Sequence, residues 1–266
     1  NIIAARSNTR QSAIDEVQRA RLFTSGSGFV PAEVSYTDQA IRFDPSRVVF
    51  FGHSQGGLNG PLFLAVDDGA RGGVLSGAGA VIAITLLEKT KPTPSIAGLV
   101  RTVFLQLGDD DEGELDVYHP ALSLAQAIID PVDPINYAIN LIERPREGYR
   151  PKSIYMTEGI GPDGSGDSYT PPRGTEALAL ATGLPLQLPA QFKSPLLSWA
   201  ASEIVVPTQG IVGHLADGQA SGVLAQWAPL EEDGHFVVFD IPGARQQANS
   251  FLLDLLSNPF GHVSAP

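Results

Sequence analysis

The sequence predicts an α/β protein in which helices flank a mostly parallel sheet. The run RVVFF at 47–51 is β-branched and aromatic without alternation, as in a strand buried on both faces. Short strand-like runs follow at 72–80 and 152–159, and helical stretches lie between them. Strands that alternate with helices in this way favour helix layers packed on a parallel sheet.

The remaining elements are predicted in chain order around these strands. A Gly-rich turn separates the strand at 47–51 from a helix over 58–67, and the residues from Val81 to about Arg150 form apolar helical stretches split by proline-containing joints. We interpret 81–150 as a helical cap or lid inserted into a core that comprises 1–80 and 151–266. Further predictions are helices at 8–22, 175–182 and 244–256, a strand at 221–229, and a Pro-rich segment at 184–209 without assigned elements.

Composition excludes several classes of function. The chain has 266 residues, with 17 Lys plus Arg against 29 Asp plus Glu, and a formal net charge of −12. Such a charge repels nucleic-acid phosphates, so no nucleic-acid partner is expected. Cysteine is absent, which excludes disulfides, a thiolate nucleophile and Cys-ligated zinc. No apolar run reaches the roughly 18 residues of a membrane-spanning helix.

The start of the chain leads to two expectations. Because the only methionine is Met156, a chain that begins at Asn1 is expected to derive from a longer precursor. Arg6 and Arg10 stand where a signal peptide would be apolar, so we do not expect the first residues to be a signal peptide. The low lysine content, the lack of cysteine and the acidic charge favour a secreted or periplasmic location.

The strongest functional motif is Gly52-His53-Ser54-Gln55-Gly56, which fits the pattern G-x-S-x-G. In a nucleophile elbow the serine lies on a sharp turn between a strand and a helix, and the glycines allow the strained backbone to turn. The buried strand before Ser54 and the small residues after it match this context. We predict that Ser54 is a nucleophile and that His53 packs beside the site or lines it.

A serine nucleophile needs a base and an orienting acid. His235 is the predicted base, because it follows a predicted strand and precedes the last helix. The loop after the strand at 152–159 offers Asp167, favoured because it stands just before a helix, with Asp163 and Glu158 as alternatives. His119, His214 and His262 are expected to be surface or capping residues.

No cofactor or metal ion is expected. The sequence has neither a phosphate-binding P-loop nor a dinucleotide-binding motif, and no histidine pair has zinc-ligand spacing. The acidic loop GDDDEGELD at 108–116 offers oxygen ligands, but it does not match a calcium-binding loop in register. We therefore expect a solvated acidic turn at 109–116, with calcium as the alternative.

Three segments carry a family resemblance: IRFDPSRVVFFGHSQGG, GDSYTPP and EEDGHFVVF. In these segments the sequence resembles bacterial serine esterases and lipases of the α/β-hydrolase fold, including secreted lipases. This resemblance covers most of the chain but not the cap. It implies ester hydrolysis through an acyl-enzyme, with Ser54 attacking, His235 transferring the proton and Asp167 orienting the imidazole. It also implies an oxyanion hole that includes the backbone N–H of Gln55.

Compared with this family, the N-terminal strands are absent, because the residues before Ser54 read as one helix and one strand. The second oxyanion-hole donor, which the family takes from a loop among those strands, is missing with them. We therefore expect an N-terminal fragment of the same precursor to complete the sheet.

Three functions follow from these features. The first is a metal-independent serine carboxylic ester hydrolase, whose apolar cap forms an acyl pocket or lid. Since a triad does not select its acyl donor, a polyesterase, thioesterase or amidase is the second. The third is a catalytically silent binding protein on the same scaffold.

Overall fold

The computed structural model describes residues 1–26, 28–108 and 115–266. At its centre is a six-stranded sheet in which every pairing is parallel. In spatial order the strands are β3 (Phe50–His53), β4 (Gly72–Ser76), β5 (Ser153–Gly159), β8 (Gly222–Trp227), β6 (Leu186–Leu188) and β7 (Glu203–Val205). A separate antiparallel pair consists of β1 (Phe29–Val30) and β2 (Ile41–Arg42).

Helices connect the strands of this sheet. They are α1 (Ile2–Thr24), α2 (Gln55–Val66), α3 (Ile82–Glu88), α4 (Ile96–Leu99), α5 (Pro120–Ile129), α6 (Ile135–Ala138), α7 (Pro172–Thr182), α8 (Pro195–Ala200), α9 (Val237–Asp240) and α10 (Pro242–Ser257). A π-helical turn continues α4 through Val100–Phe104. No helix within the described ranges is both long and apolar enough to cross a membrane.

The core lies on both faces of the sheet, because successive strand residues point to opposite sides. Ile154 and Met156 of β5 belong to one buried apolar cluster, which also contains Leu178 of α7. Tyr155 faces the other way, into a second cluster with Phe251 of α10. The predicted α/β class, with a mostly parallel sheet flanked by helices, is confirmed by this arrangement.

Several element boundaries differ from the predictions. The first core strand covers 50–53 instead of 47–51, and the helix after it begins at Gln55 instead of Leu58. The Pro-rich segment 184–209 contains β6, α8 and β7, none of which was predicted. Both strands are only three residues long. They are too short for a sequence period to reveal; β6 pairs with β8, and β7 pairs with β6.

Strand β3 forms one edge of the sheet. The backbone N–H of Ser54 donates to the carbonyl of Ser76 (2.9 Å). The backbone N–H and C=O groups of the even-numbered residues of β3 therefore point toward β4. The N–H and C=O groups of Phe51 and His53 therefore point outward, and they have no hydrogen-bond partner among the residues that the structure describes. This open edge ends directly before Ser54.

Candidate active site

Ser54 lies at a sharp, strained turn between β3 and α2. Its φ of 56° and ψ of −115° are unfavourable for a residue with a side chain. A Cβ on Gly52 would lie 2.4 Å from the carbonyl oxygen of Gly56, and one on Gly57 would lie 2.9 Å from Ala78. No neighbour lies within 4 Å of a Cβ built on Gly56. The turn therefore requires glycine at 52 and 57, and the backbone at Ser54 has the conformation of a nucleophile elbow.

His235 and Asp167 form a buried hydrogen-bonded pair. The Nδ1 atom of His235 lies 2.8 Å from Oδ2 of Asp167, and the residues are 2% and 7% exposed. The other oxygen of Asp167 accepts the backbone N–H groups of Tyr169 (2.8 Å) and Thr170 (2.7 Å). Because a carboxylate only accepts, Nδ1 carries the proton and Nε2 is left as a base.

The imidazole of His235 is fixed by two further contacts. A Cβ on Gly77 would lie 2.6 Å from its Cε1 atom, so the ring packs against bare backbone just after β4. The ring of Tyr169 stacks on the imidazole of His235, with ring centroids 4.8 Å apart. Gly77 follows Ser76, whose carbonyl holds the N–H of Ser54, so the fold brings His235 beside the elbow.

The hydroxyl of Ser54 and His235 are not hydrogen-bonded to each other in the described part of the chain. Catalytic hydrogen bonds are often long or poorly aligned before substrate binds, and they tighten in the substrate complex. The structure thus places Ser54, His235 and Asp167 at one end of the sheet and joins the last two directly.

Asp233 ties the two loops of the site together, and the sequence reasoning missed it. Its Oδ1 atom accepts the backbone N–H of His235 (3.1 Å) and that of Ser168 (3.0 Å), next to Asp167. Burial raises the pKa of Asp233, but these donors outweigh it and the net shift is downward. The signal in the sequence is the Asp-Gly-His order, since Asp often caps the start of a helical turn.

His53 lies next to His235 and is uncharged at neutral pH. The two ring centroids are 4.6 Å apart, and Nδ1 of His53 is 3.2 Å from the hydroxyl of Ser76. Desolvation, with a smaller contribution from His235, lowers the pKa of His53 to about 4. His53 is therefore a neutral neighbour of the site, and its role in lining substrate stays a prediction.

The alternative acids do not contact His235. Asp163 is exposed and accepts hydrogen bonds from the hydroxyl (2.7 Å) and N–H (3.0 Å) of Ser165, which lower its pKa. Glu158 is buried on the α7 face of the sheet, where its Oε2 accepts from Gln226 (2.8 Å). Asp167 is the candidate that the fold brings to the imidazole.

The other histidines have structural surroundings. His119 caps α5 by accepting the N–H of Ala121 (3.2 Å), as expected of a capping residue. His214 bonds to the carbonyl of Gly222 (2.9 Å). His262 bonds to Asp254 (2.8 Å) and to the carbonyl of Gln209 (3.0 Å), and the Asp254 bond raises its pKa.

Gln55 is the first residue of α2, where backbone N–H groups have no partner within the helix. Its N–H is unpaired among the described residues, and the positive end of the helix dipole lies here. The side chain of Gln55 is held by a hydrogen bond to Asn59 (3.0 Å). This N–H is therefore free to bind an oxygen that carries negative charge.

No group of three or more potential metal-ligating side chains is present in the described ranges. Most of the acidic stretch at 109–116, to which the calcium alternative refers, lies outside the described residues.

An apolar cavity of about 460 Å³ lies among α1, α3, α4 and α5. Its volume is within the roughly 300–1,000 Å³ of small-molecule sites. Its lining includes Ile2, Ile82, Leu86, Val100, Ala125 and Ile129. Three of these residues, Ile2, Ile82 and Ile129, also belong to the apolar cluster around Leu62, which lies on α2 about 12 Å along the helix from Ser54.

Comparison with protein-family models, with curated protein sequences and with solved structures finds no match to this chain. A functional conclusion therefore depends on the chain's own residues and fold.

Proposed function

We propose that this chain is a serine carboxylic ester hydrolase of the α/β-hydrolase fold. The observation that carries the proposal is the buried Asp167–His235 pair, which packs against Gly77 beside the strained turn of Ser54. A buried carboxylate that fixes the imidazole tautomer, next to a serine on an elbow, is the arrangement that nucleophilic acyl transfer requires.

The reaction proceeds through an acyl-enzyme. The Oγ atom of Ser54 attacks the ester carbonyl carbon while Nε2 of His235 takes its proton, and Asp167 stabilises the imidazolium. The N–H of Gln55 donates to the developing oxyanion. The imidazolium then protonates the departing alkoxide, and a water molecule, deprotonated by His235, releases the acid and restores Ser54.

The apolar cavity supports an ester with an aliphatic acyl group as substrate. Helix α3, which lines the cavity through Ile82 and Leu86, begins five residues after Gly77. Burying each methylene of a chain is worth about 0.8 kcal/mol, so this cavity favours longer acyl groups over acetate.

We also propose that an N-terminal segment of the same precursor pairs with β3. The outward N–H and C=O groups of Phe51 and His53 offer an unpaired parallel edge, and unprotected edges of this kind bind further strands. A parallel strand there ends beside Ser54, where the loop after it supplies the second oxyanion donor. The acidic charge and the lack of cysteine support a secreted or periplasmic location.

The test is intact mass spectrometry before and after reaction with an alkyl fluorophosphonate, which labels activated serines. We expect one adduct on the wild-type chain and none on Ser54→Ala. In protein purified from its source, we also expect a second, lighter polypeptide, which is the proposed N-terminal segment. Failure to label folded wild-type protein, while a known serine esterase labels under the same conditions, contradicts the proposal.

A further inference from the structure

A half-buried lysine at the end of helix α3 reaches the loop that carries Asp167. Nζ of Lys89, the residue after α3, donates to the backbone carbonyl of Tyr169 (2.7 Å) and lies 5.8 Å from the centre of its ring. The backbone N–H of Tyr169 donates to Oδ1 of Asp167 (2.8 Å), and its ring stacks on His235. Lys89 therefore holds a residue that contacts both the acid and the base of the candidate triad.

The two residues after Lys89 bind the same region. The backbone N–H groups of Thr90 and Lys91 both donate to the carbonyl of Ser168 (3.0 Å each). Nζ of Lys91 also lies 3.2 Å from Oδ2 of Asp233, the residue that joins the two loops of the site. We call Lys89, Thr90 and Lys91 the clamp, because their bonds connect α3 to both loops.

Exposure indicates which side chain contributes most to this contact. Lys91 is 52% exposed in its ion pair with Asp233, and the ion pair between Glu88 and Arg173, which also joins α3 to α7, has side chains 31% and 54% exposed. Exposed ion pairs of this kind contribute little to stability. Lys89 is half-buried, and a hydrogen bond from a charged donor is stronger than a neutral one. We therefore expect Lys89 to be the main side chain of the clamp.

The charge of Lys89 also acts on Asp167. Burial lowers the pKa of Lys89, and the negative charge of Asp167 partly offsets this effect. The two charges are thus close enough to attract each other, which adds to the hydrogen bond in holding the loop against α3.

The clamp is itself anchored on two helices that line the apolar cavity. The backbone N–H of Lys89 donates to the carbonyl of Thr85 in α3 (3.1 Å), and its carbonyl accepts the N–H of Ala97 in α4 (3.2 Å). Leu86 and Ile96, each next to one of these partners, line the cavity. Lys89 therefore extends from a packed wall of the cavity and can serve as a fixed support for the loop.

We propose that Lys89 is a positioning residue for the candidate acid. By holding Tyr169 it keeps the carboxylate of Asp167, which accepts the Tyr169 N–H, within 2.8 Å of the imidazole of His235. Its effect on catalysis rests on the proposed function, whereas its hold on the loop does not. Without the ammonium group, only the two bonds to Ser168 and the exposed ion pairs connect the loop to α3.

The hold on the loop is tested by amide hydrogen exchange in wild type, Lys89→Met and Lys193→Met. Met is as long as Lys but lacks the charge and the donor. The N–H groups of Tyr169 and Thr170, which donate to the candidate acid, should exchange about fivefold faster in Lys89→Met, as for one net hydrogen bond lost. Lys193 is the matched control, because it also forms an ion pair but beside the far edge of the sheet. Equal exchange in all three proteins overturns the proposal.

The effect on catalysis is tested by kcat and KM for a p-nitrophenyl ester. We expect Lys89→Met to lower kcat about tenfold, which is less than the roughly 100-fold loss for a 1 Å displacement, because the bonds to Ser168 remain. KM should change less than about twofold, since Lys89 does not bind substrate. Lys89→Arg keeps a charged donor and should restore kcat to within about threefold of wild type. A change in KM alone overturns the positioning role.

The Asp167→Asn background decides whether Lys89 acts through the acid. There the carboxylate is already lost, so Lys89→Met should lower kcat by less than about twofold more. The same tenfold loss in both backgrounds overturns the positioning role. If the wild type has no esterase activity, the proposed function fails, and hydrogen exchange still decides whether Lys89 holds the loop.

Discussion

The imidazole of His235 rests on the backbone of Gly77, so that no side chain fits between them. A Cβ on Gly77 would lie 2.6 Å from Cε1 and 2.7 Å from Nδ1 of His235, and φ of Gly77 is +52°. Gly77, the residue after β4, has no side chain, and this allows the imidazole of His235 to take its position in the site.

Gly77→Ala should displace this ring and lower kcat/KM about 100-fold, because shifts of about 1 Å have this effect. Gly148→Ala is the matched control: it also has a positive φ (+83°), but no atom lies within 4 Å of its Cβ. Gly148→Ala should therefore introduce backbone strain of the same kind and keep its activity. Equal losses in the two variants mean that the strain alone, and not the clash with His235, lowers activity.

Asp167→Asn should lower kcat about 10⁴-fold, because the amide no longer fixes the imidazole tautomer. Asp163→Asn is the control, since Asp163 bonds only to Ser165 among the described residues and should change kcat less than threefold. The kcat of each variant is measured by hydrolysis of a p-nitrophenyl ester. A larger loss in Asp163→Asn assigns the acid to Asp163 instead.

Asp233→Ala should remove a cap that joins the His235 loop to the Asp167 loop. We expect a loss of about 1–2 kcal/mol in the free energy of unfolding, as for other lost caps, together with lower kcat/KM. Urea denaturation measures the first effect. Glu232→Ala, at an exposed position next to it, should change neither quantity. Unchanged stability in Asp233→Ala contradicts the assigned role.

The His262–Asp254 pair should make stability fall with rising pH. The folded pKa of His262 is raised, first by the Asp254 hydrogen bond, so its contribution is complete below the unfolded pKa of about 6.5 and is lost as pH rises through the folded pKa. Wild type should exceed His262→Gln in unfolding free energy at pH 5.5 by up to about 1 kcal/mol, as for partly exposed pairs, and by less at pH 8.5. A constant difference contradicts this.

Ala125→Trp should fill the apolar cavity and change the acyl preference. Since the larger side chain displaces methylenes of the substrate, the ratio of octanoate to acetate hydrolysis should fall at least tenfold. Leu124→Trp is the control, because Leu124 lies beside it on α5 and is 64% exposed. An unchanged ratio in Ala125→Trp means that acyl groups bind elsewhere.

Local patterns predicted the elements that carry the site better than the elements at the sheet's far edge. The buried run before Ser54 and the glycines around it are readable because a strand, a tight turn and a helix start are short-range features. Strands β6 and β7 were missed, since three-residue strands in a Pro-rich segment have no period of their own. Asp233 was also missed, because its partner Ser168 lies 65 residues away in the sequence.

The sequence by itself determined the α/β class, the turn at Ser54 and the candidates for base and acid, since these depend on the order and type of neighbouring residues. Only the tertiary structure decided which candidates meet. Asp167 and Asp163 stand four residues apart in one loop, yet only Asp167 reaches His235, which lies 68 residues further along the chain. That choice depends on β5 and β8 pairing side by side, which brings the loops after them together. Long-range pairing of this kind leaves no local pattern in the sequence.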